Sequence, residues 1–321
     1  MSGTGANNHF ARTMELAGKL TCGFTPEGDG CLNPFESDEI EIGDFVWRLS
    51  GLDACQPTYY SIEDLKIICF YEGKKTTLWN CEITGKVVGT NEEDDNEQCA
   101  QHCSYSYNFR SDLESTLAKP IRLKWKIIEN GKLDYDSTTI INAKAEINLT
   151  KSFLIDLSSE TNEMITSPDD AACVEVEGDM LWLSKSKLSA ASSFFDTLFN
   201  KDSEDPHALA VNLNEFLHFI AILYGMEIPI DKNSIEYLLR LGDEYKCDTV
   251  LRHCQVFLRL TEYDSMETEK KIPLADRYAF YPILKMLIGK MSVDKLKAFV
   301  LSGKHLGLSE FVRDLLFDRL V

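Results

Sequence analysis

The chain has 321 residues, 44% of them hydrophobic and 26% charged, which is enough apolar material to bury more than one core. A formal net charge of −19 lacks the electropositive face that counterion release from nucleic acid demands and disfavours anionic membranes, so neither is expected as a partner. No run approaches the roughly 20 apolar residues of a membrane span, residues 1–10 carry no basic-then-apolar leader, and a cytoplasmic or nuclear setting is expected.

Residues 1–38 are rich in Gly, Asn and Pro and read as a flexible leader ending near Pro34 and Phe35. From 39 to 150 the period is two. Leu65, Ile67, Cys69 and Tyr71 alternate with Lys66, Ile68 and Phe70, and Trp79, Cys81 and Ile83 with Asn80, Glu82 and Thr84. Ile121, Leu123, Trp125 and Ile127 interleave with Arg122, Lys124 and Lys126, and Ile141, Ala143, Ala145, Ile147 and Leu149 repeat the pattern. Such strands with turn signals between them describe an antiparallel β-sandwich. The run NEEDDNE at 91–97 is a solvated excursion, because no sheet buries five carboxylates in seven residues. Gly73-Lys74-Lys75-Thr76 reads as a hairpin turn and not a phosphate loop, since Ile68 stands where the first glycine is required.

Residues 151–168 are a polar linker ending in Ser167-Pro168. Beyond it, Val174 and Val176, a Glu177-Gly178-Asp179 turn, then Leu181 and Leu183 predict a β-hairpin. Ser184 and Ser192 are placed to cap two short helices, the second carrying Phe194, Phe195, Leu198 and Phe199. Val211 and Leu213 suggest a short strand. A helix apolar on most sides follows, from Phe216 to Tyr224, and Gly225 stops it. Asp231 or Asn233 caps the next helix, and Asp248 the one after. Residues 264–321 are helical again, with Ser309 capping the last segment.

The stretches VEVEGDMLWLSKSKLSAASSFFDTLFN (174–200), EFLHFIAILYGMEIPI (215–230) and NSIEYLLRLGDEYKCDTVLRHCQVFL (233–258) resemble the BTB/POZ family. The preceding strands, from Trp47-Arg48-Leu49 through the Leu65–Tyr71 and Trp79 segments, look like a MATH domain. The resemblance implies an α+β multidomain chain: a MATH-like antiparallel sandwich at 39–150, a central α/β BTB/POZ fold at 169–260 and a short BACK-like helical segment at 264–321. It also implies a homodimer, with Asp170, Leu188 and Phe195 at the two-fold contact, and a role as substrate adaptor for cullin-3, with Asn200, Lys201, Glu204 and Tyr224 facing the cullin. An unknown protein substrate would meet the first domain around Tyr105, Tyr107 and Phe109. The basic stripe of Arg122, Lys124 and Lys126 reads either as a solvated sheet face or as a contact for an acidic partner. The family's hydrophobic-x-Glu element is missing from NKDSEDP at 200–206, since neither Asp202 nor Ser203 is apolar. A BTB scaffold that clusters partners without a cullin is therefore the alternative.

No catalytic signature is present, and no cofactor is expected. Cys99, His102 and Cys103, with Cys81 upstream, form one ligand pair without the second that zinc sites use, so metal binding is not expected. The ten cysteines are scattered, and Cys69, Cys81 and Cys254 fall where small apolar side chains are wanted, so reduced thiols are expected. Asn148-Leu149-Thr150 matches the glycosylation acceptor pattern and is read as a chance match, since secretion is not expected.

Overall fold

The computed structural model describes residues 12–24, 32–56, 59–91, 103–110, 115–116, 121–124, 141–200, 206–226, 228, 230–260 and 266–320. The chain divides into two compact units, Met1–Leu157 and Ser158–Val321. Together they make an α+β multidomain protein: antiparallel sheets first, then a mixed α/β region and a helical C-terminal part. No described helix is long and apolar enough to cross a membrane.

The first unit holds strands β1 (Arg12–Phe24), β2 (Leu32–Glu36), β3 (Ile40–Ile42), β4 (Phe45–Gln56), β5 (Tyr59–Phe70), β6 (Thr77–Asn91), β7 (Cys103–Arg110), β8 (Ser115–Thr116), β9 (Ile121–Lys124) and β10 (Ile141–Asp156). One antiparallel sheet has the order β1-β10-β6-β7; the other has the order β2-β4-β5-β8, with β3 on β4 and β9 on β5. A shared core joins them: Leu20, Trp79, Cys81, Ile83, Ala145, Ile147 and Leu149 from the first sheet, and Phe35, Ile42, Phe45, Trp47, Leu49, Ile67 and Cys69 from the second. Ile67 and Cys69, Trp79, Cys81 and Ile83, and Ala145, Ile147 and Leu149 therefore point inward as the alternation predicts. Phe45 packs against Trp79 at 5.3 Å between ring centroids. Trp125, Lys126 and Ile127 lie outside the described residues.

Three expectations change. Residues 12–24 are not a leader but an edge strand paired along β10 from Arg12↔Ser152 to Phe24↔Ile141. Its apolar alternation is interrupted at Gly18, where the Ile42 side chain packs so closely that a Cβ would lie 2.4 Å from its Cδ1. Residues 71–76 are not a hairpin: they carry the chain from β5 in one sheet to β6 in the other, held by the Thr77 amide donating to the Lys74 carbonyl (3.0 Å). The linker does not begin at 151, because β10 runs on to Asp156. A bulge between Leu149 and Lys151 reverses which residues face the shared core, so that Leu154 packs on it.

In the second unit β11 (Ala171–Val176) lies between β12 (Asp179–Ser184), antiparallel, and β13 (His207–Leu209), parallel. Glu177 and Gly178 form the two-residue hairpin turn, both at positive φ (51° and 83°), as tight hairpins require. The helices are α1 (Lys185–Ala191), α2 (Ser193–Phe199), α3 (Leu213–Leu223), α4 (Ile235–Glu244), α5 (Asp248–Arg259), α6 (Thr268–Arg277), α7 (Tyr281–Lys290), α8 (Val293–Leu301) and α9 (Glu310–Leu320). The predicted serine caps form: the Ser184, Ser192 and Ser309 hydroxyls accept from the amides of Lys187, Phe195 and Val312. Cys247, not Asp248, takes the cap position of α5. Val211 and Leu213 are not a strand, because the Asn212 side chain accepts from the amides of Asn214 and Glu215 and starts α3 at Leu213. The Glu177 carboxylate accepts from the Leu213 amide (3.0 Å), tying the hairpin turn to the start of that helix.

A chain beginning at residue 25 loses β1, the pairing along β10 and the buried Leu20. Its sandwich should unfold in urea with stability reduced by about 3 kcal/mol or more, from lost apolar burial alone; an unchanged midpoint would mean that β1 contributes nothing.

Candidate interaction site

Asp170 ends a single 3-10 turn, Pro168–Asp170, just before β11, and is 8% exposed. A buried carboxylate needs donors, and this one has four: the Ser184 hydroxyl (2.7 Å), the Ser186 amide (2.8 Å), the Thr166 hydroxyl (3.1 Å) and the Thr166 amide (3.3 Å). Burial alone would raise its pKa, but the bonds from Ser184, Ser186 and Thr166 prevail and hold the carboxyl far below the usual carboxylate range. Ser184 is the hub. Its hydroxyl donates to Asp170 while capping α1, and its amide donates to the Tyr224 hydroxyl at 3.0 Å. Burial pushes the Tyr224 phenol up, against the Ser184 amide that pulls it down, and the Lys187 ammonium sits 5.0 Å from the centre of its ring. Asp170 and Tyr224, expected at separate contacts, thus belong to one network.

Leu188 and Phe195 have no exposed surface, so neither is available for direct contact with a second copy, and Asp170 is almost wholly enclosed. Phe195 instead stands among the rings of Phe194, Phe199, Phe219 and Tyr245 at 5.2–6.4 Å. The helical spacing of these residues is satisfied by the domain's own core, and the contact that the resemblance implied at Leu188 and Phe195 has no surface of theirs to use. The apolar surface left near β12 and α2 consists of Met180 and the half-buried Trp182, Phe194, Leu198 and Phe199. Asn200 is exposed at the end of α2 and donates to Asp196 (3.2 Å); Lys201 and Glu204 lie outside the described residues.

In the first unit, register places Tyr105, Tyr107 and Phe109 of β7 opposite Gly85, Ile83 and Cys81 of β6. Arg122 and Lys124 of β9 stand opposite Ser61 and Tyr59; Lys126, like Cys99 and His102, lies outside the described residues. Among the described residues, no group of three or more His, Cys, Asp or Glu could hold a metal ion.

A polar cleft that the sequence did not reveal opens where α3, α4 and α6 meet. Glu215, Asn233, Glu236, Tyr237, Arg240, Arg277 and Tyr278 line about 420 Å³ of space. Arg240 pairs with Glu215 and also with Glu244 (3.5 Å). Behind the rim, His218 is buried and its Nδ1 lies 2.6 Å from the Tyr237 hydroxyl. The one local signal was a histidine inside an otherwise apolar helix. The arrangement has matched charges and many hydrogen-bonding groups, which suits recognition of a polypeptide surface.

Residues 144–262 match the sequence pattern of the BTB/POZ domain, and they include the three-stranded sheet, the paired short helices, the buried α3 and the α4–α5 pair. The chain is a BTB/POZ-domain protein with a MATH-like N-terminal domain. It is similar to the BTB and MATH domain-containing protein 38 of Caenorhabditis elegans, with 21% identity over 290 residues covering 87% of this chain and 73% of that protein. The BTB match starts inside β10 of the sandwich and stops just after α5, short of the C-terminal helices.

Two predictions address the BTB domain. Phe195→Ala should lower its stability by about 3–5 kcal/mol in urea unfolding, as deletion of a buried ring does; a change in oligomeric mass at full stability would return Phe195 to an interface. Asp170→Asn should cost about 2 kcal/mol or more near neutral pH, because one amide oxygen cannot serve four donors. The folded pKa of Asp170 is depressed, so its contribution is complete above about pH 4, the range of a free carboxyl, and is lost as the pH falls further towards the folded value. The variant's unfolding midpoint should therefore fall less steeply below pH 4 than that of the unaltered chain.

Proposed function

We propose that this protein is a non-catalytic substrate adaptor of a cullin-3 ubiquitin ligase: its sandwich holds a client protein and its BTB domain holds the cullin. The observation that carries the reading is the tandem of sandwich and BTB domain in one chain, with 87% of that chain covered by the similarity to a BTB and MATH domain-containing protein. Families of this kind act as interaction adaptors, and they work by raising the concentration of a bound client beside a second bound protein. The client would meet the sandwich around Tyr105, Tyr107, Phe109 and the basic stripe of Arg122, Lys124 and Lys126. The cullin would meet Asn200, Lys201 and Glu204 together with the polar cleft of Arg240 and Arg277. The BTB domain would pair with a second copy through surface that its core leaves open, Met180, Trp182, Leu198 and Phe199. The setting would be the cytosol or nucleus, where cullin ligases act.

A second reading, a dimeric scaffold that binds no cullin, is favoured by one observation: Asp202 stands two residues before Glu204, where an apolar anchor is wanted. Binding of the purified full chain to the cullin-3 N-terminal domain in a biosensor separates the two. Micromolar or tighter affinity is expected for the adaptor. Failure to bind, with affinity created by Asp202→Met, would establish the scaffold reading. Light scattering of the chain alone should give twice the chain mass; a monomer at micromolar concentration would remove self-association from both readings.

A further inference from the structure

Cys69 and Cys81 reach the middle of the sandwich from opposite sides. Cys69 is the second-last residue of β5, in the sheet with β4, and Cys81 lies in β6, in the sheet with β10. Both are buried, at 5% and 1% exposure, and their sulfurs are 3.7 Å apart. The chain that links the two strands is short and held at its base: Thr77 is bonded back to Lys74, and the Lys74 ammonium sits 2.8 Å from the Asp156 carboxylate at the end of β10. On either side the strands are in register, Cys69 against Trp47 and Cys81 against Ser152. The two sulfurs therefore face each other because of where the sheets sit, not through a mobile loop.

We propose that Cys69 and Cys81 are an oxidisable pair, and that a hydroperoxide converts them into a disulfide bolting one sheet of the sandwich to the other. A disulfide holds its sulfurs about 2.05 Å apart, so the pair must close by about 1.7 Å, a movement that side-chain rotation and a slight approach of the sheets can share. A β-sandwich can hold a bond of this kind, since immunoglobulin domains carry an inter-sheet disulfide through their core. In the first step one thiolate attacks the peroxide, which releases water or an alcohol and leaves a sulfenic acid. In the second the other sulfur displaces that hydroxyl as water. Two thiols and one peroxide thus give one disulfide, the two electrons passing from sulfur to the peroxide oxygen and the two thiol protons ending on the products.

Access sets the rate. Burial, reinforced by the neighbouring Cys81 sulfur, keeps the Cys69 thiol protonated far above the usual range, and thiols are poor nucleophiles. The closed sandwich resists oxidation, and the reaction proceeds when the sheets part, so the bond forms slowly and then opposes further opening. It also closes the loop from 69 to 81, which restricts the unfolded chain.

The full-length chain, fully reduced, would be treated with hydrogen peroxide, then denatured in the presence of an alkylating agent, digested and mapped by mass spectrometry. A cross-linked Cys69–Cys81 peptide that dithiothreitol releases is expected. The oxidised chain should also show a sandwich unfolding midpoint raised by about 5 °C, and Cys81→Ala should abolish that rise. Alkylation of both cysteines after treatment, their recovery as separate sulfinic acids, or their pairing with other cysteines would overturn the proposal. The peptide map of the unaltered chain decides the matter even if Cys81→Ala folds poorly.

Discussion

The BTB domain is organised around a carboxylate that cannot be left alone. Asp170 is enclosed where the chain enters the central strand, and a buried charge without donors would cost more than the domain's margin of stability. The donors come from the turn before it and, through Ser184 and Ser186, from the end of β12 and the start of α1. Ser184 also holds Tyr224 at the end of α3. One ionised group therefore sets the relative positions of the hairpin, the first helix and the buried helix. The contact between Glu177 and the α3 N-terminus fixes that helix at its other end.

With those positions set, the aromatic cluster of Phe195, Phe216, Phe219 and Tyr245 fills the space between α2, α3 and the end of α4. The apolar surface near β12 and α2 is what this packing leaves over. Phe195 and Leu188 are consumed by it, whereas Trp182, Leu198 and Phe199 keep an outward side. Arg240 of α4 and Arg277 of α6 line one cleft although they are 37 positions apart in the chain.

The sequence showed most where burial follows a strict local period. Trp79, Cys81 and Ile83 alternate against polar neighbours and lie inward as read. Ser184 and Ser192 signalled their helices because a capping hydroxyl acts within three residues. Reading failed at Gly18, whose missing side chain is an accommodation to Ile42, a residue 24 positions away; the gap made a strand look like a leader. The contact expected at Phe195 came from family resemblance and not from a local pattern, and its side chain is wholly buried, since an apolar helical residue looks the same in sequence whether it faces a core or a partner. The polar cleft was invisible for a related reason: no local pattern joins Glu215, Tyr237 and Arg277.

Lys271 shows that sequence families and physical domains need not end together. The family match stops at residue 262, yet this lysine of α6 is almost fully buried, with its ammonium donating to the Leu260 carbonyl (2.6 Å) and lying 5.5 Å from the centre of the Phe257 ring. It neutralises the negative end of α5, the last helix within the match. Excision at the family boundary would leave that helix end bare and open a hole above Phe257. The C-terminal helices are therefore less an appendage than the lid of the BTB core, and a ligand that strained them would be felt at α5.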